Sequence, residues 1–295
     1  MSITLRQLEI FAAVCQEGKI TSAADRVGLS QAAASQALAE LEDQLQRRLF
    51  DRKGRRLKEN TAGRALLPEA IQILDRVRQI ESGASQTVNI RIAASLTVGN
   101  YMLPEFVGRF ARQHPDAHFR MEIGNTEFVA ASVRQFESDA GWIEGLARHP
   151  DLLSFPWRED QLVIIAAPNH PLAGRQATPE ALAKESWVLR ENGSGTREVF
   201  EDAIADKFQL SRVPIELAGI GATKRAVMAG AGLSCISRSV IELELNARQL
   251  AVVRTPWLDL RRQITFLLHR QKYLDPGLRA FLGFCGLEAS QPAQP

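Results

Sequence analysis

The stretch TSAADRVGLSQAAASQALAELE, Thr21 to Glu42, constrains the fold of this chain more than any other. Its alanine content suits one long helix, yet Gly28 and Ser30 interrupt it near the middle. Glycine tolerates the left-handed backbone that closes a helix, and serine accepts the hydrogen bond that opens one. The expected result is two short helices about a tight turn, with Thr21 capping the first and Ser30 the second. Ala23, Ala24 and Val27 face inward from the first helix, and Ala34, Leu38, Leu41 and Leu45 from the second. An earlier helix is predicted from Leu5, Leu8, Phe11, Ala12 and Val14, with Gly18 as its stop.

A helix-turn-helix holds its second helix rigidly enough to enter a DNA major groove. Gln31, Ser35 and Gln36 project from the exposed first turns, where amides and hydroxyls can meet base edges or phosphates. An ordinary helical hairpin has the same pattern, and the next segment shifts the balance. RRLFDRKGRRLK, residues 47–58, holds seven basic side chains against the single acid Asp51, an excess of six, whereas the whole chain carries only +2. Gly54 marks a turn between the apolar anchors Leu49-Phe50 and Leu57, so these charges are expected on a β-hairpin wing beside the helices.

These residues resemble the winged helix-turn-helix of LysR-type transcriptional regulators. They match the patterns A-A-x-x-L-x-x-S-Q-x-A-x-S and L-E-x-x-L-x-x-x-L-F-x-R. Departures are Val27 where leucine is usual, Ala32 where proline is frequent and Gln36 where arginine is frequent. The resemblance implies double-stranded operator DNA as partner. Gln31, Ser35 and Gln36 would lie at base edges, with Ala32 on the same reading face. Thr21, Ser30, Arg52, Lys53, Arg55 and Arg56 would lie at phosphates or in the minor groove.

Beyond Thr61, the positions Leu66, Ala70, Ile73, Val77, Ile80 and Ala84 alternate by four and three, which places them on one helical seam. Such a seam serves either its own domain or a second subunit. The family resemblance implies a linker helix pairing two subunits, a homodimer that assembles further into a homotetramer, and RNA polymerase as a further partner. Pro68 falls in the first two turns, where it disturbs a helix little, and ESGASQTVN then reads as a polar hinge.

The remainder alternates strands with helices. Ile90-Ile92-Ala94, Phe119-Met121-Ile123, Leu162 to Ala167, Trp187-Val188-Leu189, Val213-Ile215-Leu217 and Ile264 to Leu268 are the predicted strands. Ligands in such folds lie at strand carboxyl ends against helix N-termini. Three loops have that character: Ser95 and Thr97 in ASLTVGNYMLP, Asn125 and Thr126 in GNTEFV, and Gly193, Ser194, Gly195 and Thr196 in ENGSGTREVF, with Arg197 or Arg190 for charge. Neither G-x-x-x-x-G-K-[ST] nor G-x-G-x-x-G occurs at the required place, which argues against a nucleotide site.

This region resembles the effector domain of the same family, itself similar to periplasmic solute-binding proteins, with two α/β lobes and ligand between them. That likeness adds Trp142 and Glu144 of GWIEG at a strand end in the cleft, and Lys224 of GIGATKRAV at a helix start. GSGTR with GNYMLP is similar to the branch concerned with sulfur assimilation, whose effectors include small oxyanions.

The expected architecture is thus α+β and multidomain: a winged helix-turn-helix over 1–60, a linker helix and hinge over 61–88, and a two-lobed α/β effector domain over 89–295. Lobe I would take about 89–162 and 265–295, and lobe II about 163–264. With 295 residues, 45% of them hydrophobic, the chain has material for two or more cores. Cys15, Cys235 and Cys285 form no CxxC pair, and the histidines, three of them beside proline, form no metal-ligand pattern, so neither metal nor cofactor is expected. Charges in the N-terminal segment oppose a signal peptide, and a cytoplasmic location without membrane contact follows.

The leading function is a DNA-binding transcriptional regulator, not an enzyme, whose operator binding depends on a small anion: a sulfur oxyanion or a small carboxylate. Two other readings stand beside it: an α/β enzyme of acyl or phosphoryl transfer, and a solute-binding module.

Overall fold

The computed structural model describes residues 2–53, 56–81 and 88–287. Helix α1 (Leu5–Glu17) opens with a capping box in which Thr4 Oγ1 accepts from the Gln7 amide at 3.3 Å and Gln7 Oε1 accepts from the Thr4 amide at 2.9 Å. Gly18, with φ of 66°, closes it. Helix α2 (Ile20–Val27) follows at once with Lys19 as its cap residue, so the sequence-based placement of Thr21 as a cap is corrected: Thr21 lies inside the first turn. The left-handed Gly18 turns the chain so sharply that Lys19 already supplies the first helical carbonyl, to the Ala23 amide.

Gly28 (φ 68°) ends α2, and Ser30 Oγ caps α3 (Gln31–Gln44) by accepting from the Ala33 amide at 3.2 Å. Ala23, Ala24 and Ala34 are buried where the helices cross, in one core with Phe11, Leu38, Leu41, Leu49 and Phe50. Strands β1 (Phe50–Lys53) and β2 (Arg56–Glu59) form the antiparallel wing. Buried Glu42 fastens the wing to α3: its carboxylate accepts from the Leu49 amide at 2.7 Å and from Arg48 at 2.8 Å.

Asn60 joins the wing to α4 (Thr61–Glu81), donating to the Arg48 carbonyl and accepting from the Ala62 and Gly63 amides. Gly63 sits so close to the Leu49 carbonyl that no Cβ fits. We expect Gly63→Ala to destabilise the DNA-binding domain by about 1–3 kcal/mol through overpacking against rigid backbone. A calorimetric melt in which that domain's transition is unmoved would refute this.

The linker helix presents two apolar faces where the sequence suggested one. Leu67, Ala70, Ile71 and Leu74 pack into the core with α1, while Ile73 and Ile80 are 46% and 78% exposed. Ala70 therefore belongs to the inner face, Leu66 is half-buried against the same core, and Ile73, Val77 and Ile80 follow an outer face. Ala84, most of the expected hinge, Gly54 and Arg55 lie outside the described residues.

The rest comprises β3 (Val88–Ser95), α5 (Leu96–Tyr101), α6 (Leu103–Gln113), β4 (Ala117–Gly124), α7 (Thr126–Arg134), β5 (Ala140–Glu144) and β6 (Leu152–Ala166). Then come α8 (Pro179–Ala183), β7 (Ser186–Arg190), α9 (Gly195–Ile204), β8 (Arg212–Leu217), α10 (Ile220–Met228), β9 (Ser234–Ser237), a 3-10 turn (Arg238–Val240), α11 (Glu242–Asn246), β10 (Ala251–Val253), β11 (Arg261–His269) and α12 (Pro276–Phe284). The main sheet runs β10-β6-β11-β5-β3-β4, with β9 also on β6; β7 and β8 pair separately.

The long strand β6 belongs to both halves. Its first part pairs with β11 in one half, and its second part pairs with β9 and β10 in the other. One core gathers Ile92, Trp142, Phe266 and Phe281, and another gathers Leu162, Trp187, Phe200 and Leu260. The chain passes between the halves near Asp160 to Leu162 and near Leu260 to Arg262.

All the predicted strands are present. The first part of β6 was illegible because Pro156 and a run of charges break its pattern, and the register slip opposite Ile264 and Thr265 is what accommodates that proline. Among the described residues no helix is long and apolar enough to cross a membrane, and no group of three or more His, Cys, Asp or Glu is placed to hold a metal. All three cysteines are free, and burial pushes each thiol upward, which makes them poor nucleophiles.

Candidate functional site

Gln31, Ala32, Ser35 and Gln36 are all exposed on one face of α3, opposite buried Ala34, Leu38 and Leu41. The Gln36 amide donates to Glu40 at 2.9 Å, and Glu40 also accepts from Gln7 at 3.3 Å, so this side chain is held along the helix. Thr21 and Ser30 flank the face and are exposed. Arg52, Lys53 and Arg56 lie in the wing strands; Arg56 is exposed, and the side chains of Arg52 and Lys53 lie outside the described residues.

The second site lies where the two halves meet. Strand β3 ends at Ser95, β5 ends at Glu144, and α7 and α9 begin at Thr126 and Gly195, so loops at strand carboxyl ends face helix N-termini. Glu144 accepts from the Thr97 amide at 3.3 Å and from the Thr126 hydroxyl at 3.4 Å. A Cβ on Gly195 would lie 2.5 Å from the Glu144 carbonyl oxygen and 2.6 Å from Thr126 Oγ1, so only glycine allows α9 this close to the opposite half. Asn125 caps α7 and also donates to the Asn192 carbonyl at 3.3 Å; Gly193 accepts from the Glu127 amide at 3.4 Å.

At the centre stands Arg262 on β11, its side chain 1% exposed, a residue the sequence reading missed. It donates to Thr97 Oγ1 (3.2 Å) from one half, to Thr196 Oγ1 (2.8 Å) from the other, and to Asp160 on β6 at 2.7 Å. Ser237 Oγ donates to the other Asp160 oxygen at 2.7 Å. The sequence did carry a signal: in a strand of period two, Arg262 shares its face with Ile264, Phe266 and Leu268, and a charge on an apolar face requires a buried partner.

Thr97, Thr126, Glu144, Gly195 and Thr196 thus converge with Arg262, while Ser95 is buried at the end of β3 and Ser194 at the head of α9. Four other residues singled out in the sequence have protein partners of their own. Arg197 pairs with Glu201 (2.8 Å) and Glu216 (2.6 Å), and Arg190 pairs with Glu191 at 2.8 Å. Lys224 is neutralised by Glu244 at 2.6 Å, donates to the Val240 carbonyl and reaches only Tyr101 of the opposite half, at 3.4 Å. Trp142 packs in a core against Phe266 at 5.0 Å.

A third constellation joins α4 to the half containing β11. Lys272, its side chain 4% exposed, lies 2.9 Å from Asp139 and 3.0 Å from Asp75 of α4. Arg91 meets Asp139 at 2.7 Å, Gln72 donates to the Gln271 carbonyl at 2.6 Å, and Arg76 donates to the Tyr273 hydroxyl at 2.7 Å. Phe136 belongs to the DNA-binding core and lies 4.1 Å from the His269 ring, whose imidazole burial pushes down to about 4, so it stays uncharged near neutrality.

An exposed recognition helix with a basic wing, coupled to two α/β halves that close on a polar centre, defines a DNA-binding regulator with an effector domain. Residues 5–64 match the bacterial regulatory helix-turn-helix protein, lysR family, and residues 84–289 match the LysR substrate binding domain. The chain is 43% identical to the uncharacterized HTH-type transcriptional regulator YeiE of Escherichia coli K12, over 97% of this chain and 98% of that one. Among solved structures, a full-length OxyR variant from Pseudomonas aeruginosa aligns over 100% of both chains with a TM-score of 0.74 and 20% identity. The Synechocystis PCC6803 CcmR regulatory domain in complex with 2-PG aligns over 67% of this chain and 95% of that one, with a TM-score of 0.63 and 27% identity. The chain belongs to the LysR family of transcriptional regulators.

Proposed function

We propose that this regulator binds its operator as a homodimer, or a tetramer of paired dimers, under control of a small anionic effector held between the two halves of its C-terminal domain. Arg262 carries the reading: a single buried guanidinium joins Thr97 of one half to Thr196 of the other, so a ligand there changes how the halves sit on each other. The domain limits proposed are 1–60, 61–88 and 89–295. The exposed outer face of α4, with Ile73 and Ile80, supplies the subunit contact. Gln31, Ser35 and Gln36 read base edges beside Ala32, and Thr21, Ser30, Arg52, Lys53, Arg55 and Arg56 hold the backbone. RNA polymerase is the further partner in the cytoplasm.

Operator titrations over a salt series test the DNA side. Arg52→Ala with Arg56→Ala should weaken all sequences alike and make the log–log salt slope shallower by about 2, since each lost phosphate contact removes about 0.9. An unchanged slope overturns the wing assignment. The same titrations with sulfite, phosphate, thiosulfate and simple carboxylates test the effector; a response confined to bulky aromatic acids overturns the small-anion reading.

A further inference from the structure

The charges in the cleft do not suit a bare anion. Three ionisable side chains meet there, all buried: Glu144 and Asp160 against Arg262. Asp160 is satisfied by Arg262 at 2.6 Å and by Ser237 at 2.7 Å. Glu144 is not, because its contacts are long: 3.3 Å to the Thr97 amide, 3.4 Å to the Thr126 hydroxyl and 3.9 Å to Arg262. A carboxylate has about four lone-pair positions, so acceptor capacity remains at Glu144.

The hydroxyls around it are arranged as donors. Thr97 Oγ1 and Thr196 Oγ1 each accept from Arg262, which leaves each O–H to point elsewhere. Ser95 is fully buried, and its Oγ has no hydrogen-bond partner among the described residues, at the strand end that leads into the turn of Thr97. Such an unpaired buried hydroxyl is costly unless a ligand or water takes it up. The cleft therefore offers donors to bare oxygens and one strong acceptor that repels them.

We propose that Glu144 selects a protonated oxyanion. The effector carries an O–H that donates to the Glu144 carboxylate while its bare oxygens accept from Ser95, Thr97, Thr196 and Arg262; hydrogen sulfite and monoanionic phosphate have this form, and sulfate near neutrality does not. A fully deprotonated ion would bury a second negative charge against Glu144, which is how a site rejects a ligand of the right size. The charged groups facing Glu144 are Arg262 of β11 and, behind it, Asp160 of β6; the elements α5, α7 and α9 meet it with Thr97, Thr126 and Gly195. This inference rests on the small-anion reading above and narrows it to an oxyanion.

Calorimetric titration of the full-length protein with sodium sulfite, phosphate and sulfate, for wild type and Glu144→Gln, tests it. Wild type should prefer sulfite or phosphate to sulfate by about 100-fold or more, as sites built to pair a ligand hydroxyl do. Its affinity should fall, as pH rises through neutrality, in step with the protonated species. Glu144→Gln, whose amide can donate, should bind sulfate and lose the preference. Wild-type binding of sulfate as tight as that of sulfite or phosphate overturns proton selection and leaves the oxyanion reading standing. Binding of none of the three oxyanions overturns the narrowing to an oxyanion, and with it proton selection. The wild-type comparison alone decides the matter if the variant does not fold.

Discussion

Replacing Arg262 with methionine should lower the melting temperature of the C-terminal domain by roughly 10 °C, the equivalent of about 3–5 kcal/mol, and remove the response of operator binding to effector. Methionine fills a similar volume, so the loss is one of charge and hydrogen bonds. Asp160 would keep Ser237 but lose its buried cation partner, and Thr97 and Thr196 would lose the donor that joins the two halves. Arg262→Lys should recover part of the stability, because an ammonium can still meet Asp160, but not the response, because it has no planar fork to reach both threonines. Combining Arg262→Met with Asp160→Asn should cost less than the two changes summed, since the uncompensated carboxylate is gone. Scanning calorimetry of the four variants checks this, and additive single and double costs would mean that the pair is not coupled.

Lys272→Met should leave operator affinity nearly unchanged while uncoupling it from the effector. Lys272 follows the C-terminal end of β11, the strand that carries Arg262 near its other end, and it bonds Asp75 of the linker helix. Methionine would leave Asp139 with Arg91 alone and would break the ionic tie between α4 and this half, at a cost of about 3 kcal/mol.

The tie is also insensitive to pH across neutrality. Burial by itself would raise the Asp139 carboxyl, but Lys272 and Arg91 outweigh it and hold the carboxyl below the usual carboxylate range. Burial by itself would lower the Lys272 ammonium, but Asp139 and Asp75 outweigh it and hold it above the usual range. Asp139's contribution is fully present above its unfolded value of about 3.9 and is lost as pH falls through its lower folded value. Lys272's contribution is fully present below its unfolded value of about 10.4 and is lost as pH rises through its higher folded value. Hydrogen exchange in α4 should therefore be equally protected from about pH 5 to about pH 9 in wild type, after correction for intrinsic rates, and less protected throughout in the variant. Equal protection in the two proteins would sink the assignment of the tie.

Much of this fold was legible because its signals are local. Gly28 and Ser30 fix a turn through their own backbone and side chain, and the predicted strands follow from a period of two. Small hydroxyl residues between strand and helix usually cap the helix, so the loops of Ser95, Thr97, Thr126 and Thr196 stood out only because three such loops fall in one α/β region. The errors also have local causes. Thr21 had the chemistry of a cap but stood two residues past the true start of α2, which the left-handed Gly18 set. Arg197 had the charge and position for the cleft, and its pairing with Glu201 of its own helix and Glu216 of β8 could not be read from the sequence.

By itself, the sequence determined the helix-turn-helix with its basic wing, the helix beyond Thr61 and the alternation of strands and helices after it; the two lobes came from the family resemblance. Tertiary structure decided which side chains complete the sites. Arg262 finds Thr97 at a separation of 165 residues and Asp160 at 102, and Lys272 finds Asp75 at 197. Phe136 joins the core of the DNA-binding domain although the chain reaches it only after β4 and α7. The reason is physical: caps, turns and hydrophobic periods act within a few residues, so they are written where they act. A buried charge takes its partner from whatever element the sheet order and helix packing bring beside it, and that is a property of the assembled fold.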